Sequence, residues 1–263
     1  MNAKDYIKYL LSVESYSFSF EEIINNTEKT ETALKFELVR LIQKKEIFNL
    51  RKGFYLIIPP RYSGNVQIPV QLYIDKLFEY LKREYYVGFF SAARFYGAGH
   101  QQIQKDYVMT EKPKMNDIRK NNFEIRFLTA TNWAANNVVK KKSDAGFLKI
   151  SDPALTAVDL IHYQMKLGGL NKILTVLEEL VEQITIEEIT KLLSWYPYKS
   201  TLQRLGFLFE KMDVDKELIN ALKEYLQQLR LFPVLLSHQV NRKPGVVDNF
   251  WKVDVNIKPE SDL

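Results

Sequence analysis

The stretch Tyr85–Gly99 (YYVGFFSAARFYGAG) constrains the fold most, because Arg94 is its one charged residue. A segment this poor in charge is expected to be mostly buried. The β-branched and aromatic run Tyr85–Phe89 predicts a strand, and Ser91 is suited to cap a short helix over Ala92–Tyr96.

The end of this stretch and the residues after it predict how the chain continues. Gly97 and Gly99 predict the helix stop, since glycine adopts the positive φ that such a stop needs. Tyr107–Thr110 and Phe123–Thr129 are both typical of strands. We therefore expect a strand, a helix and two more strands to form a centre on which the other segments pack.

Composition limits the class of protein. The 263 residues suffice for one large or two ordinary domains, and 46% hydrophobic with 26% charged residues is typical of a soluble globular chain. No apolar run approaches the ~20 residues of a membrane span, and the N-terminus, MNAKDYIKYLL, does not resemble a signal peptide. The absence of cysteine excludes disulfides and thiolate metal sites and fits a cytoplasmic location. Of the net charge of +5, residues 61–150 contribute +7, with fifteen basic against eight acidic side chains.

The first sixty residues predict a DNA-binding module. Apolar spacing indicates helices over residues 4–12, 20–26 and 30–46, the last capped by Thr30. Two strands follow, Ile47–Leu50 and Phe54–Ile58, joined by the turn Arg51-Lys52-Gly53. Three helices followed by a basic-tipped hairpin is the order of a winged helix-turn-helix, which we predict for residues 1–60.

The third helix has a polar face opposite the apolar stripe Leu34, Leu38 and Leu41. In a major groove this face would reach base edges and phosphates, while the hairpin would contact phosphates without reading sequence. The predicted DNA-binding residues here are Lys29, Thr32, Lys35, Phe36, Arg40, Gln43, Arg51 and Lys52. The alternative is that this is an ordinary solvated face, with Phe36 packed on a neighbouring domain. Glu31 and Glu37 favour this alternative, because phosphate would repel them.

The stretch Pro-Pro-Arg-Tyr-Ser-Gly-Asn at residues 59–65 predicts a linker, which we place at residues 61–69. Val70–Arg83 then has the apolar spacing of a helix. Two basic loops are expected further on, one with Lys112 and Lys114 and one with Lys140-Lys141-Lys142. Each contacts the DNA backbone on one interpretation and is a plain solvated loop on the other.

The last third of the chain predicts a helical bundle. Ser151 or Asp152 is suited to cap a helix that has Pro153 in its first turn and runs to about Lys166. Four more helices are expected near residues 170–183, 186–195, 200–212 and 216–229. Residues 250–257 alternate like a strand that closes on the central sheet. The predicted fold is α+β, with a winged helix-turn-helix at 1–60, a linker at 61–69, and a C-terminal domain at 70–263 that has a small sheet (70–150), a mainly helical part (151–249) and the terminal strand.

No catalytic motif is evident. The three histidines, His100, His162 and His238, lack metal-ligand spacing, and no nucleotide-binding glycine motif or serine elbow occurs. We therefore expect no catalytic residue, metal or cofactor. Two alternatives stay open. Asp106 and Glu124 followed by Arg126 are weakly similar to the carboxylates and cation of metal-dependent nucleases. Aromatic residues such as Trp133, Trp195 and Tyr198 would instead line the ligand pocket of a transcription regulator.

The order of these parts resembles the AbiEi antitoxins of type IV (AbiE-type) toxin–antitoxin systems. The resemblance rests mainly on Tyr86–Gly97 (YVGFFSAARFYG), on Tyr107–Thr110 and on Ser151–Leu160 (SDPALTAVDL). GFYLI at the hairpin, LGFLFE at Leu205–Glu210 and Trp251–Asn256 support it. Ala154 and Leu155 depart from the Glu and Arg common in the family. Tyr96 replaces a histidine, which indicates a packing position.

The resemblance implies a bacterial, cytoplasmic, non-enzymatic protein of phage abortive infection systems. Its winged helix would repress its own promoter by binding inverted repeats in double-stranded DNA. Its C-terminal domain would counter a nucleotidyltransferase-like toxin without needing a stable complex. No membrane partner is implied, and a monomer in solution that pairs on DNA is compatible with this picture.

Overall fold

The polypeptide is divided between two units, each assembled from separate segments. The computed structural model describes residues 1–62, 64, 68–99, 105–120, 123–133, 136–239 and 242–258. The first unit comprises residues 1–86, 104–129 and 140–149, and the second comprises 87–103, 130–139 and 150–263. The boundaries of these two units differ from those of the predicted domains. Parts of the predicted linker, residues 63 and 65–67, and also His100 lie outside the described residues.

The first unit begins with three helices and a small antiparallel sheet. The elements are α1 (Ala3–Ser12), β1 (Ser17–Ser19), α2 (Phe20–Asn25), α3 (Glu31–Gln43), β2 (Ile47–Arg51) and β3 (Phe54–Ile57). The sheet order is β1-β3-β2, and both pairings are antiparallel. The three predicted helices and the hairpin are confirmed. Strand β1 was not predicted, because three residues are too few to show alternation.

These helices form because each has a capping side chain at its start and an apolar face that the core can bury. Ser19 and Glu22 make a capping box at α2, and the Thr30 side chain accepts a hydrogen bond from the Ala33 backbone N–H at α3. The apolar faces of the helices and strands then meet in one core, which comprises Ala3, Tyr6, Ile7, Leu10, Phe18, Ile23, Leu34, Leu38, Leu41, Ile47 and Ile57.

A helix and a six-stranded mixed sheet follow. They are α4 (Ile74–Leu81), β4 (Tyr85–Val87), β5 (Asp106–Thr110), β6 (Ile118–Lys120), β7 (Phe123–Thr129), β8 (Val138–Ser143) and β9 (Gly146–Ser151). The strand order is β6-β7-β5-β4-β9-β8. Strands β5 and β7 are parallel and β6 and β7 antiparallel, while β4 and β9 are parallel where Val87 faces Ile150. Helices together with a multi-stranded sheet confirm the α+β class.

Two predictions for this part are wrong in detail. The helix expected over 70–83 is a 3-10 turn, Val70–Leu72, separated from α4 by Tyr73, whose φ of −144° breaks the helix. The buried Tyr73 ring instead packs edge-on against Phe123. The lysines 140–142 lie in edge strand β8 rather than in a loop. Charged side chains are common on edge strands, where they oppose unwanted pairing.

The second unit is mainly helical. Its elements are α5 (Phe89–Phe95), α6 (Pro153–His162), α7 (Gln164–Leu167), α8 (Leu170–Leu180), α9 (Ile186–Leu193), α10 (Lys199–Lys211), α11 (Lys216–Gln227), β10 (Val234–Leu235) and β11 (Val253–Asp254). Helix α6 lies at the centre, in contact with α5, α8, α9 and α10. Every residue from Pro153 to Ile161 is buried. The predicted helical bundle is confirmed.

Three boundaries differ from prediction. Helix α5 begins at Phe89 after an extended Gly88, so Ser91 lies inside it and does not cap it. Phe89 and Phe90 lie in this helix and are both buried. Helix α6 ends at His162 rather than near Lys166. The terminal strand shrinks to Val253–Asp254 and pairs in parallel with Val234–Leu235, not with the central sheet.

Candidate nucleic-acid interface

Helix α3 presents one exposed face beside the core of the first unit. Leu34, Leu38 and Leu41 are at most 1% exposed and anchor the helix. The opposite side carries the predicted residues Thr32, Phe36, Arg40 and Gln43, all exposed, with Lys35 at its flank. The predicted grouping on one helix face is therefore found, and Lys29 lies exposed just before the helix.

The cations of this region are not equivalent. Lys29 Nζ lies 2.5 Å from a Glu37 carboxylate oxygen, and Lys35 Nζ lies 2.5 Å from Glu31. These two lysines neutralise Glu31 and Glu37, the two acids that phosphate would otherwise repel. Arg40 and Lys44 make no ion pair within the part of the chain that the structure describes, so their charge faces solvent.

A groove of about 500 Å³ lies on the N-terminal helices and is lined by Lys4, Lys29, Ala33, Phe36, Glu37, Arg40, Leu41 and Lys44. Four of these side chains are cationic and one is anionic. Lys4 belongs to α1 and makes a long contact of 4.0 Å to Glu46, both residues being well exposed. Such a pair contributes little in water. The groove therefore carries an excess of positive charge.

The β2–β3 hairpin is held in place rather than free. At its turn, Gly53 has a φ of 74°, and a Cβ there would lie 2.6 Å from the Tyr80 hydroxyl oxygen. That hydroxyl donates a hydrogen bond of 3.2 Å to the Lys52 carbonyl. Phe48 stacks on Phe123, with ring centroids 4.7 Å apart. Helix α4 and strand β7 thus fix the hairpin, a support that no local pattern could reveal.

The predicted hairpin residues differ in exposure. Lys52 is exposed at the turn, whereas Arg51 is half-buried. The Arg51 Nη1 atom is buried without a hydrogen-bond partner among the described residues. Lys112 and Lys114 are exposed between β5 and β6, and in β8 Lys140 is exposed and Lys141 half-buried. These four lysines lie on other elements of the first unit than α3.

The second unit contains a buried polar cluster around the start of α6. The Asp152 carboxylate caps α6 by accepting from the Leu155 N–H at 2.8 Å, and Asn137 Nδ2 donates to its other oxygen at 2.7 Å. Asn137 Oδ1 accepts from Trp195 Nε1 at 2.7 Å. Burial raises the pKa of Asp152 to about 7, although these hydrogen bonds oppose the shift. The Tyr96 hydroxyl donates to the Ser151 carbonyl, which fits the packing role expected for Tyr96.

The LGFLFE motif on α10 receives the C-terminal segment. Trp251 is fully buried, and its ring lies over Gly206, where a Cβ would be 2.0 Å from Cζ3. Its Nε1 donates to Glu210 at 2.9 Å, and its backbone carbonyl accepts from Gln203. The LGFLFE motif and the segment that begins at Trp251 are far apart in sequence, but they pack against each other in the structure.

The residues of the two alternative functions have structural partners. Glu124 is paired with Lys105 and Arg119 at about 3.4–3.5 Å. Within the described ranges, no group of three or more His, Asp or Glu side chains is placed to hold a metal ion. Trp195 is bound to Asn137, and Tyr198 packs against the His162 ring. Burial and the nearby Arg204 lower the pKa of His162, which favours its neutral form. No described helix is long and apolar enough to cross a membrane.

Comparison with protein families assigns part of the chain to a class, namely the antitoxins of toxin–antitoxin systems. The matching model is that of the AbiEi antitoxin C-terminal domain, and it covers residues 86–211. Residues 86–211 are therefore similar to the C-terminal domain of the AbiEi antitoxins, the family that the motifs predicted. An antitoxin family implies a toxin as partner.

Comparison with other proteins adds evidence on the fold. The crystal structure of the RV2827C protein from Mycobacterium tuberculosis is similar, with a TM-score of 0.67 and 15% sequence identity. The similarity covers 95% of this chain and 90% of that chain. At this identity it shows a shared fold alone. No curated protein matches the sequence significantly.

Proposed function

We propose that this protein is a DNA-binding antitoxin and the transcriptional autorepressor of a bacterial type IV toxin–antitoxin operon. The observation that carries the DNA-binding half is the exposed face of α3, where Arg40 and Lys44 have no acidic partner among the described residues. The match of residues 86–211 to the AbiEi domain supports the antitoxin half.

The proposed DNA-binding module is a winged helix-turn-helix over residues 1–60. The element order α1-β1-α2-α3-β2-β3 and the sheet order β1-β3-β2 support it. In such a module α3 is the recognition helix and the β2–β3 hairpin is the wing. Thr32, Arg40 and Gln43 then face base edges and phosphates, and Lys52 contacts a phosphate at the turn.

Further phosphate contacts in this proposal come from the basic residues Lys112, Lys114, Lys140 and Lys141. Two copies of the protein bind the inverted repeats of their own promoter. The toxin is a nucleotidyltransferase-like enzyme from the neighbouring gene, and it is countered without a stable complex.

A gel-shift titration against the upstream DNA of the gene, with scrambled DNA and a salt series, tests the repressor half. We expect saturable, sequence-preferring binding whose log affinity falls by roughly 0.9 per phosphate neutralised for each tenfold rise in salt. Arg40→Ala/Lys52→Ala should weaken it strongly. The matched control Lys199→Ala/Lys216→Ala removes the same charge from exposed positions of the second unit, outside the proposed interface, and should weaken it less. Equal affinity for scrambled DNA would refute repression.

Survival of cells that express the neighbouring toxin tests the antitoxin half. Co-expression of this protein should restore growth, and the Arg40→Ala/Lys52→Ala variant should restore it equally when both genes are driven from foreign promoters. A transcription regulator that only senses a ligand would give no rescue. Failure of the wild-type protein to rescue would therefore refute the antitoxin role.

A further inference from the structure

The exposed face of α3 has an apolar centre. Phe36 is 66% exposed and Val39 is 51% exposed, although both lie on a helix whose buried stripe is complete without them. Residues three apart on a helix are surface neighbours, so the two side chains form one ridge. We name the pair Phe36 and Val39 the apolar ridge. Large apolar side chains exposed together usually mark a surface that binds something.

The charged side chains around the apolar ridge indicate which kind of molecule could bind it. Arg40 and Lys44 lie beside it, and Lys4 lines the same groove as Phe36. The nearest acids, Glu31 and Glu37, are held by Lys35 and Lys29. An apolar partner alone would gain nothing from unpaired cations at its rim, whereas a polyanion with apolar groups in its recess would use both.

The DNA major groove has this combination. It admits an α-helix, and each thymine projects its C5-methyl group into it between the two phosphate backbones. We propose that the apolar ridge reads thymine methyl groups, while Arg40 and Lys44 contact the flanking phosphates. This inference rests on the proposed DNA-binding function and adds to it a preference for thymine under α3.

The test compares two versions of the same upstream DNA, one amplified with dTTP and one with dUTP, which lacks the methyl group. Burying one methyl is worth about a threefold to fourfold change in affinity. With two methyls contacted per recognition helix, each copy of the wild-type protein should bind its half-site in the uracil version about tenfold more weakly. Phe36→Ala/Val39→Ala should bind both versions with equal affinity, since the groups that sense the methyls are gone.

The matched control is Arg40→Ala/Lys44→Ala on the same helix. It should weaken binding to both versions alike, keep the thymine-to-uracil ratio of the wild type, and reduce the salt slope by about 2 for each bound copy. All four side chains are exposed, so each variant should keep its circular dichroism spectrum and thermal midpoint. The milder Phe36→Leu should retain part of the thymine preference.

Three results would overturn the inference, and they are distinguishable. Equal binding of the thymine and uracil versions, with preference over scrambled DNA intact, would refute thymine reading and leave the proposed repressor standing. Absence of any sequence preference would refute both. A dimer in sedimentation that Phe36→Ala/Val39→Ala converts to monomer, with the thymine-to-uracil ratio unchanged, would assign the ridge to an interface between copies of this chain.

Discussion

Gly206→Ala is expected to destabilise the helical unit, although alanine is the better helix former. The new Cβ would lie 2.0 Å from Cζ3, 2.4 Å from Cη2 and 2.5 Å from Cε3 of Trp251. Carbon atoms in contact are normally about 3.5–4.0 Å apart. The ring must therefore move by roughly 1.5 Å, which strains or breaks the hydrogen bond from Trp251 Nε1 to Glu210.

The magnitude follows from three contributions. Overpacking a core costs about 1–3 kcal/mol, and a lost hydrogen bond to a charged group costs about 1.5–3 kcal/mol. The gain in helix propensity from glycine to alanine offsets about 1 kcal/mol. We expect a net loss in unfolding free energy of about 1.5–5 kcal/mol. Urea unfolding followed by far-UV circular dichroism measures it.

A double-mutant cycle with Trp251→Leu isolates the cause. Leucine lacks the three ring atoms that the Cβ would strike, so Gly206→Ala should be neutral or stabilising by up to about 1 kcal/mol in that background. A change of sign between the two backgrounds is the expected result. The reasoning would be refuted if Gly206→Ala cost the same in both, or if it stabilised the wild-type protein.

Three further predictions concern single side chains. In the folded protein the pKa of Asp152 is about 7, well above its unfolded value. The unfolding free energy of the wild-type protein should therefore fall as the pH rises from about 4 to 7, by at most about 4 kcal/mol. Asp152→Asn should remove this part of the pH dependence. Urea titrations across that range test this, and parallel curves for both proteins would contradict it. Asn137→Ala removes hydrogen bonds to Asp152 and Trp195 and should cost about 2–4 kcal/mol, with a red shift in tryptophan fluorescence; an unchanged urea midpoint would contradict it. Tyr80→Phe removes the hydrogen bond to the Lys52 carbonyl and should cost about 1 kcal/mol in thermal unfolding, whereas no loss would mean that the hydroxyl is equally well solvated.

The sequence predicts elements whose signals are local. Helix α3 was predictable because Thr30 and the stripe Leu34, Leu38 and Leu41 agree. Strands β10 and β11, of two residues each, carry no periodicity and depend on a pairing between distant segments. The lysines of β8 do not distinguish a strand from a loop, because an edge strand and a solvated loop favour the same charged residues.

The candidate interface was predictable to a similar extent. A helical wheel is enough to place Arg40 and Gln43 opposite the buried stripe. The pairing of Lys35 with Glu31 follows from their spacing of four, but that of Lys29 with Glu37 depends on the angle at which the chain enters α3. The contact of Tyr80 with the hairpin is tertiary and has no local signal.

The motifs that carry the family resemblance are mainly packing motifs. Every residue of Tyr86–Ala93 and of Ser151–Leu160 is buried. The LGFLFE motif contains Gly206, against which the Trp251 ring packs. Buried residues of this kind determine the scaffold, whereas the choice of a DNA sequence or a toxin must come from exposed side chains. The matched segment, 86–211, also excludes α3 and its apolar ridge. The family match therefore gives no information on the proposed DNA contacts, which have to be tested on α3 itself. There, two exposed apolar side chains and two cations without an acidic partner among the described residues are the residues to change.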